Sequence, residues 1–137
     1  MGTPKITNEE EALKAVREDG SALDDVPLNL RTPEVCLEAV KKDGWVLQYV
    51  PENLKTAEMC LLAVMQDGDT LEYVPKNLWT AEMCLEAIRK NKNRIAFATD
   101  REGDSYRAKL RNEIARIYEE MPEEMRDEVR CRLESSE

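Results

Sequence analysis

Residues 31–54, RTPEVCLEAVKKDGWVLQYVPENL, are followed without a gap by residues 55–78, KTAEMCLLAVMQDGDTLEYVPKNL. Laid over one another they share A-V-x-x-D-G-x-x-L-x-Y-V-P-x-N-L, a self-similarity with a period of 24 residues. Fixed periods of this size mark stacked repeats, in which one unit cannot bury its own apolar face. One period earlier stands TNEEEALKAVREDGSALDDVPLNL, residues 7–30. One period later stands WTAEMCLEAIRKNKNRIAFATDRE, residues 79–102, where the turn glycine and the proline are lost. The chain thus reads as four units, the last degenerate, in an array over residues 1–99.

Each unit reads the same way physically. Thr32, Thr56 and Thr80 stand where an N-cap belongs, with Pro33 at a first helical position and Glu34, Glu58 or Glu82 near the positive end of the helix dipole. A helix of about ten residues is expected to follow. Its stop is Gly20, Gly44 or Gly68, each after an Asp, with the glycine supplying a left-handed cap. Six residues then precede a proline, which predicts a one- to two-turn helix, α or 3-10, with a short strand as the other option. Helix is favoured because Leu23, Leu47 and Leu71 lie three residues before Val26, Val50 and Val74, a spacing that would split them between the faces of a strand.

In the longer helix the apolar set is Cys36, Leu37, Ala39 and Val40 with its equivalents in the other units. At 100° per residue it covers an arc of roughly 160°, as a helix touching both neighbouring units requires. The unvarying alanine (Ala15, Ala39, Ala63, Ala87) permits close approach.

After Thr99 the period ends. DREGDS reads as a polar linker, and Tyr106, Leu110, Ile114, Ile117 and Met121 form one stripe of an amphipathic helix. Pro122 opens another, with the stripe Met125, Val129 and Leu133. Residues 104–137 are therefore expected to cap the stack. The predicted fold is all-α: a short solenoid of four 24-residue two-helix repeats closed by a C-terminal helical hairpin, in one compact domain.

Composition fits this class. The 137 residues are 42% apolar and 36% charged, a globular balance rich in charge. No stretch approaches the roughly 20 apolar residues of a membrane span, and MGTPKITNEEE is no basic-then-apolar leader. The absence of histidine removes the commonest general base and the commonest metal ligand. With no nucleophile beside a base and no glycine-rich phosphate loop, neither an enzyme nor a cofactor is expected. A net charge of -9 argues against nucleic acid as the partner of the whole molecule.

The core string AVKKDGWVLQYVPENL, repeated as AVMQDGDTLEYVPKNL, resembles a bacterial family of short tandem helical repeats classed as a domain of unknown function, found in large bacterial proteins including secreted effectors. More distantly, the 24-residue period resembles the leucine-rich-variant solenoids, which alternate α and 3-10 helices. The likeness covers residues 7–99 and implies the fold; it brings no activity and no site residue with it. The family resembled is bacterial, and a cytoplasmic location is the expectation, with delivery as a secreted effector left open.

Several residues are candidates for function. Cys36, Cys60 and Cys84 recur in register, but units about 8–10 Å apart are too far for disulfides or shared zinc ligation, so they read as small buried hydrophobes. No metal site is expected. Four unpaired cysteines, with Cys131 on the terminal helix, fit a reducing compartment. Asp-Gly-Asp at 67–69 lacks the remaining oxygen ligands of a calcium loop and reads as helix termination.

Two surfaces stand out. Trp45, Tyr49 and Tyr73 fall outward on the short helices, rimmed by Asp24, Asp25, Asp69 and Glu72, an aromatic ridge suited to a cationic peptide. Otherwise Tyr49, Tyr73 and Phe97 would cover the core between units. Residues 89–116 carry nine Lys and Arg against four acids, a local balance of +5. The bland explanation is solvated helix faces; the sharper one is an anionic-ligand or RNA site.

Leu62 and Met65 form a third candidate, on an arc that is charged in the other units (Lys14 and Arg17, Glu38 and Lys41, Glu86 and Arg89). They are expected to be covered by the terminal helices or by a second copy in a two-fold dimer; otherwise they are scattered surface hydrophobes. The functional expectation is a non-enzymatic protein-interaction module with a basic partner. Anionic-ligand or RNA binding through residues 89–116 is the alternative.

Overall fold

The computed structural model describes residues 6–98 and 103–135. Helices α1 (Glu9–Glu18), α2 (Pro33–Lys42), α3 (Ala57–Gln66) and α4 (Ala81–Phe97) are the long helices of the four units, followed by α5 (Gly103–Glu120) and α6 (Glu123–Ser135). The short segment of each of the first three units is a 3-10 helix: Gly20–Asp25, Gly44–Tyr49 and Gly68–Tyr73. A second 3-10 turn that the sequence reading did not foresee follows each proline, at Leu28–Leu30, Glu52–Leu54 and Lys76–Leu78. There is no strand among the described residues.

Local chemistry sets these boundaries. The hydroxyls of Thr32, Thr56 and Thr80 accept the N–H groups of Val35, Met59 and Met83, and Asn8 caps α1 through Glu11. Each Asp before the glycine serves two helices. Its own N–H closes the long helix on Ala15, Ala39 or Ala63, while its carboxylate caps the 3-10 helix through the N–H of Ser21, Trp45 or Asp69.

The expected left-handed glycine caps do not form. Gly20, Gly44 and Gly68 have no positive φ; among the described residues only Gly103, at the start of α5, has one, at 74°. What requires glycine is contact. A Cβ at Gly20 would meet the Ala39 oxygen at 2.8 Å, and one at Gly44 the Ala63 oxygen at 2.9 Å. A Cβ at Gly68 would meet the Ala87 Cα at 3.0 Å. The 3-10 segment of one unit thus packs directly on the alanine of the next.

The buried alanines, Cys36, Cys60, Cys84 and the Leu and Val of the 3-10 helices form one core that runs through the stack. The fourth unit departs from the two-helix plan. With Asn91 and Lys92 in place of Asp-Gly, nothing stops the helix, and α4 continues for 17 residues to Phe97. The linker expected at 100–105 falls partly outside the described residues, and α5 already begins at Gly103. Both α5 and α6 lie against α4, burying Leu110, Ile117, Met121, Val129 and Leu133 and setting the Met125 sulfur 3.8 Å from Cys84 Sγ. The terminal helices therefore close the array by covering its last long helix.

Candidate functional site

The 3-10 helices of neighbouring units approach within 8 Å, so repeat-equivalent positions form rows across one face. One row is Asp25, Tyr49 and Tyr73; beside it runs Asp24, Gln48 and Glu72. Trp45 sits on the same face, 37% exposed, with its ring edge-on to Tyr73 at 5.9 Å between centroids and 72° between planes. That is the T-shaped geometry aromatic pairs favour. Tyr49 and Tyr73 are half-buried and lean on the core. The Glu72 carboxylate beside Tyr73 pushes its phenol up. The ridge and the core-covering role are thus both present in these tyrosines, whereas Phe97 is 83% exposed and covers nothing.

Trp45 is fixed by a partner from the next unit. Its Nε1–H donates to Asp67 Oδ2 at 2.9 Å, while Asp67 Oδ1 accepts the Asp69 N–H at 3.0 Å and Arg94 Nη2 at 3.1 Å. Arg94 Nη1 reaches Asp69 Oδ2 at 2.9 Å. Burial pushes the Asp67 carboxyl up, but these hydrogen bonds and the guanidinium outweigh it and hold the group below its ordinary value. The ion pair joins residues 25 and 27 positions apart and exists because α4 runs on past Asn91. Sequence reading took Asp67 as a helix stop and Arg94 as one of nine basic residues; neither pointed to the other.

Two depressions flank the ridge. One, of about 220 Å³, has Trp45, Asp69 and Glu72 on one wall and Tyr106, Lys109 and Glu113 of α5 on the other. The second, shallower and about 440 Å³, lies between Gln48 and Glu52 of one unit and Glu72, Tyr73 and Pro75 of the next. The aromatic ridge and part of the basic segment therefore meet at one place.

The basic segment does not gather into a patch. Arg94 is held by two aspartates, Arg107 by Asp104 and the Ala98 carbonyl, Arg116 by Glu113, and Arg89 by Glu86. Lys109 and Arg111 are exposed on α5, and Arg101 lies outside the described residues. On the ridge side, Lys55 pairs with Glu52 and Lys76 with Glu120. Among the described residues Asp24, Asp25 and Glu72 carry no ion pair.

Leu62 and Met65 belong to α3 and border neither depression. Leu62 is half-buried against the core, but Met65 is 51% exposed. The terminal helices dock chiefly on α4, one unit further along, and the expected cover does not extend to Met65 within the chain. Cys36, Cys60 and Cys84 are fully buried, and burial pushes their thiols up to about 11, 11 and 12; Cys131 is exposed. No helix among the described residues is long and apolar enough to cross a membrane.

No curated protein and no solved structure matches the chain significantly. The family model of a domain of unknown function, DUF4116, matches three overlapping stretches, residues 8–55, 32–79 and 57–101, each covering two successive units of the array. With the match extending over most of its length and its units stacked as described, the chain belongs to the DUF4116 family of helical repeats.

Proposed function

We propose that this is a non-enzymatic interaction module that binds a protein partner on the 3-10 face, through Trp45, Tyr49 and Tyr73 and the carboxylates of Asp69 and Glu72. The observation that carries the reading is the Trp45–Tyr73 pair, with Trp45 held by Asp67 at a partly exposed position on the face whose rows also carry Asp24, Asp25 and Glu72. A fixed indole loses little freedom on binding, and aromatic faces and carboxylates both attract Lys and Arg. Stacked repeats present such rows over a long surface. The partner is therefore a protein with a basic surface, and the setting a cytoplasm, bacterial or one that receives an effector.

The test is affinity capture from lysate with the intact chain and with Trp45→Ala/Tyr49→Ala, both shown to be folded by circular dichroism. Partners retained by the intact chain and lost by the variant are expected. Recovery of the same partners by both would remove the ridge from the function. The alternative, RNA or phosphate binding through residues 89–116, draws no support from the paired state of Arg94, Arg107 and Arg116. Fluorescence polarisation with short RNA should show no binding even at low salt, where phosphate contacts are strongest.

A further inference from the structure

The layer of long helices carries its charge in bands. On α2 one stripe runs Glu34, Glu38 and Lys41, and its repeat equivalents on α4 are Glu82, Glu86 and Arg89. Residues four and three apart share a helix face, so each stripe is acidic towards the N-terminal end and basic further along. Between these two helices, and packed on both, α3 carries Glu58, Leu62 and Met65 on the same stripe. The apolar pair thus sits in the middle of a charged face, and Met65 is 51% exposed.

A second copy covers this face in one orientation. Two copies related by a two-fold axis parallel to the stack meet unit against unit with their long helices antiparallel. Glu38 of one copy then lies against Lys41 of the other, Glu86 against Arg89, and Leu62 against Met65. A two-fold axis along the helices would instead set Glu38 against Glu86 and Lys41 against Arg89, like charge on like. The pattern therefore admits the first arrangement and opposes the second, as complementary charge does in specific interfaces. On α1, Lys14 stands where Glu38 stands on α2 and breaks the pattern, so the contact spans α2 to α4. The carboxylates keep acceptor sites for it: Glu38 lies 3.7 Å from Arg17 and from Lys41, and Glu86 3.7 Å from Arg89, too long for hydrogen bonds.

We infer that this chain forms a two-fold dimer through the outer face of α2, α3 and α4, with Leu62 and Met65 of the two copies packed on each other at its centre. The 3-10 face stays free on both copies, since Leu62 and Met65 border neither depression there. The dimer is therefore independent of the interaction reading above.

Sedimentation velocity of the full chain over a range of concentrations tests it. The parent should self-associate, and less so at high salt, which screens the exposed charge pairs. Lys41→Glu/Arg89→Glu makes the face acidic on both copies and should weaken the dimer about tenfold or more, as should the converse Glu38→Lys/Glu86→Lys. Mixed one to one, the two variants should form a heterodimer at least as tight as the parent dimer, because every like-charge contact becomes an opposite one. Circular dichroism checks that each variant is folded. Should a charge variant lose its fold, Met65→Glu, at an exposed position, should weaken the dimer by itself. A parent that stays monomeric at every concentration would overturn the inference. So would a dimer left intact by both charge reversals or by Met65→Glu, or two folded variants whose mixture stays monomeric.

Discussion

Replacing Gly44 by alanine tests how the units are joined. The new methyl carbon would lie 2.9 Å from the Ala63 oxygen and 3.1 Å from the Ala63 Cα. Both are main-chain atoms of α3, so no side-chain rotation relieves the contact. The Ala63 oxygen also accepts the Asp67 N–H that closes α3, so displacing it disturbs the next helix end as well. Overpacking of this kind costs about 1–3 kcal/mol. Against that stands a gain of about 0.4–1 kcal/mol, because alanine restricts the unfolded chain and the native φ at Gly44 suits it.

The balance is a loss of about 1–2 kcal/mol, or roughly 3–8 °C in Tm. Thermal and urea unfolding followed by far-UV circular dichroism would measure it. Gly68→Ala should cost less, since its nearest contacts are 3.0 Å and 3.4 Å. Adding Ala63→Gly to Gly44→Ala should bring no rescue, because it removes a side chain and leaves the clashing oxygen and Cα in place. A Gly44→Ala chain as stable as the parent, or one rescued by Ala63→Gly, would refute direct backbone packing between units.

Further expectations follow from single contacts. Thr56→Ala removes the cap that accepts the Met59 N–H and should cost about 1 kcal/mol in the same unfolding assay. Iodoacetamide at neutral pH should label Cys131 alone in the folded chain, with Cys36, Cys60 and Cys84 reacting only after denaturation, as read by mass spectrometry. Because the folded state holds the Asp67 carboxyl below its ordinary value, the stability it contributes is full above the usual Asp range and is lost as pH falls through its own lower value. Between about pH 5 and pH 2 the parent should therefore lose more stability than Asp67→Asn, whose Trp45 emission should already be shifted to the red. Met65→Glu should change stability by less than about 0.5 kcal/mol while Leu62→Glu, at a half-buried position, costs more. Sedimentation of the same two variants would show whether Met65 supports a dimer.

The repeat, its caps and its apolar set were legible because each is local. A threonine that binds an N–H three residues on, or an aspartate two residues before its partner, needs no knowledge of the rest of the chain. The glycines were legible as breakers and misread as left-handed, because glycine answers both to a positive φ and to a lack of space, and only the second depends on what lies opposite. The clue was there at longer range: Gly20, Gly44 and Gly68 each stand 19 residues before an alanine of the next unit. Lys92, at the equivalent place in the fourth unit, has no fifth long helix of this pattern to accommodate, and there the glycine is gone. At the site the aromatic residues were visible. The Asp67–Arg94 link was not, since it depends on a helix outrunning its usual stop.

One repeat position shows how function can persist while residue identity does not. Arg31, Lys55 and Trp79 open their units and share no chemistry by class. In the structure all three lay an apolar stem over the stack and carry an N–H donor to main-chain carbonyls left open around the 3-10 turns. Arg31 bonds Val26 and Tyr49 oxygens at 2.8 Å each, Lys55 the Tyr73 oxygen at 2.6 Å, and Trp79 the Val74 oxygen at 3.1 Å. The first two bind, 18 residues on in their own units, the carbonyls of the very tyrosines that form the aromatic row, and each also holds the preceding unit, Arg31 through the Val26 oxygen and Lys55 through Glu52. Cohesion of the stack and placement of that row are therefore set by the same two donors. A change at Arg31 or Lys55 would act on the 3-10 face without touching any residue exposed there.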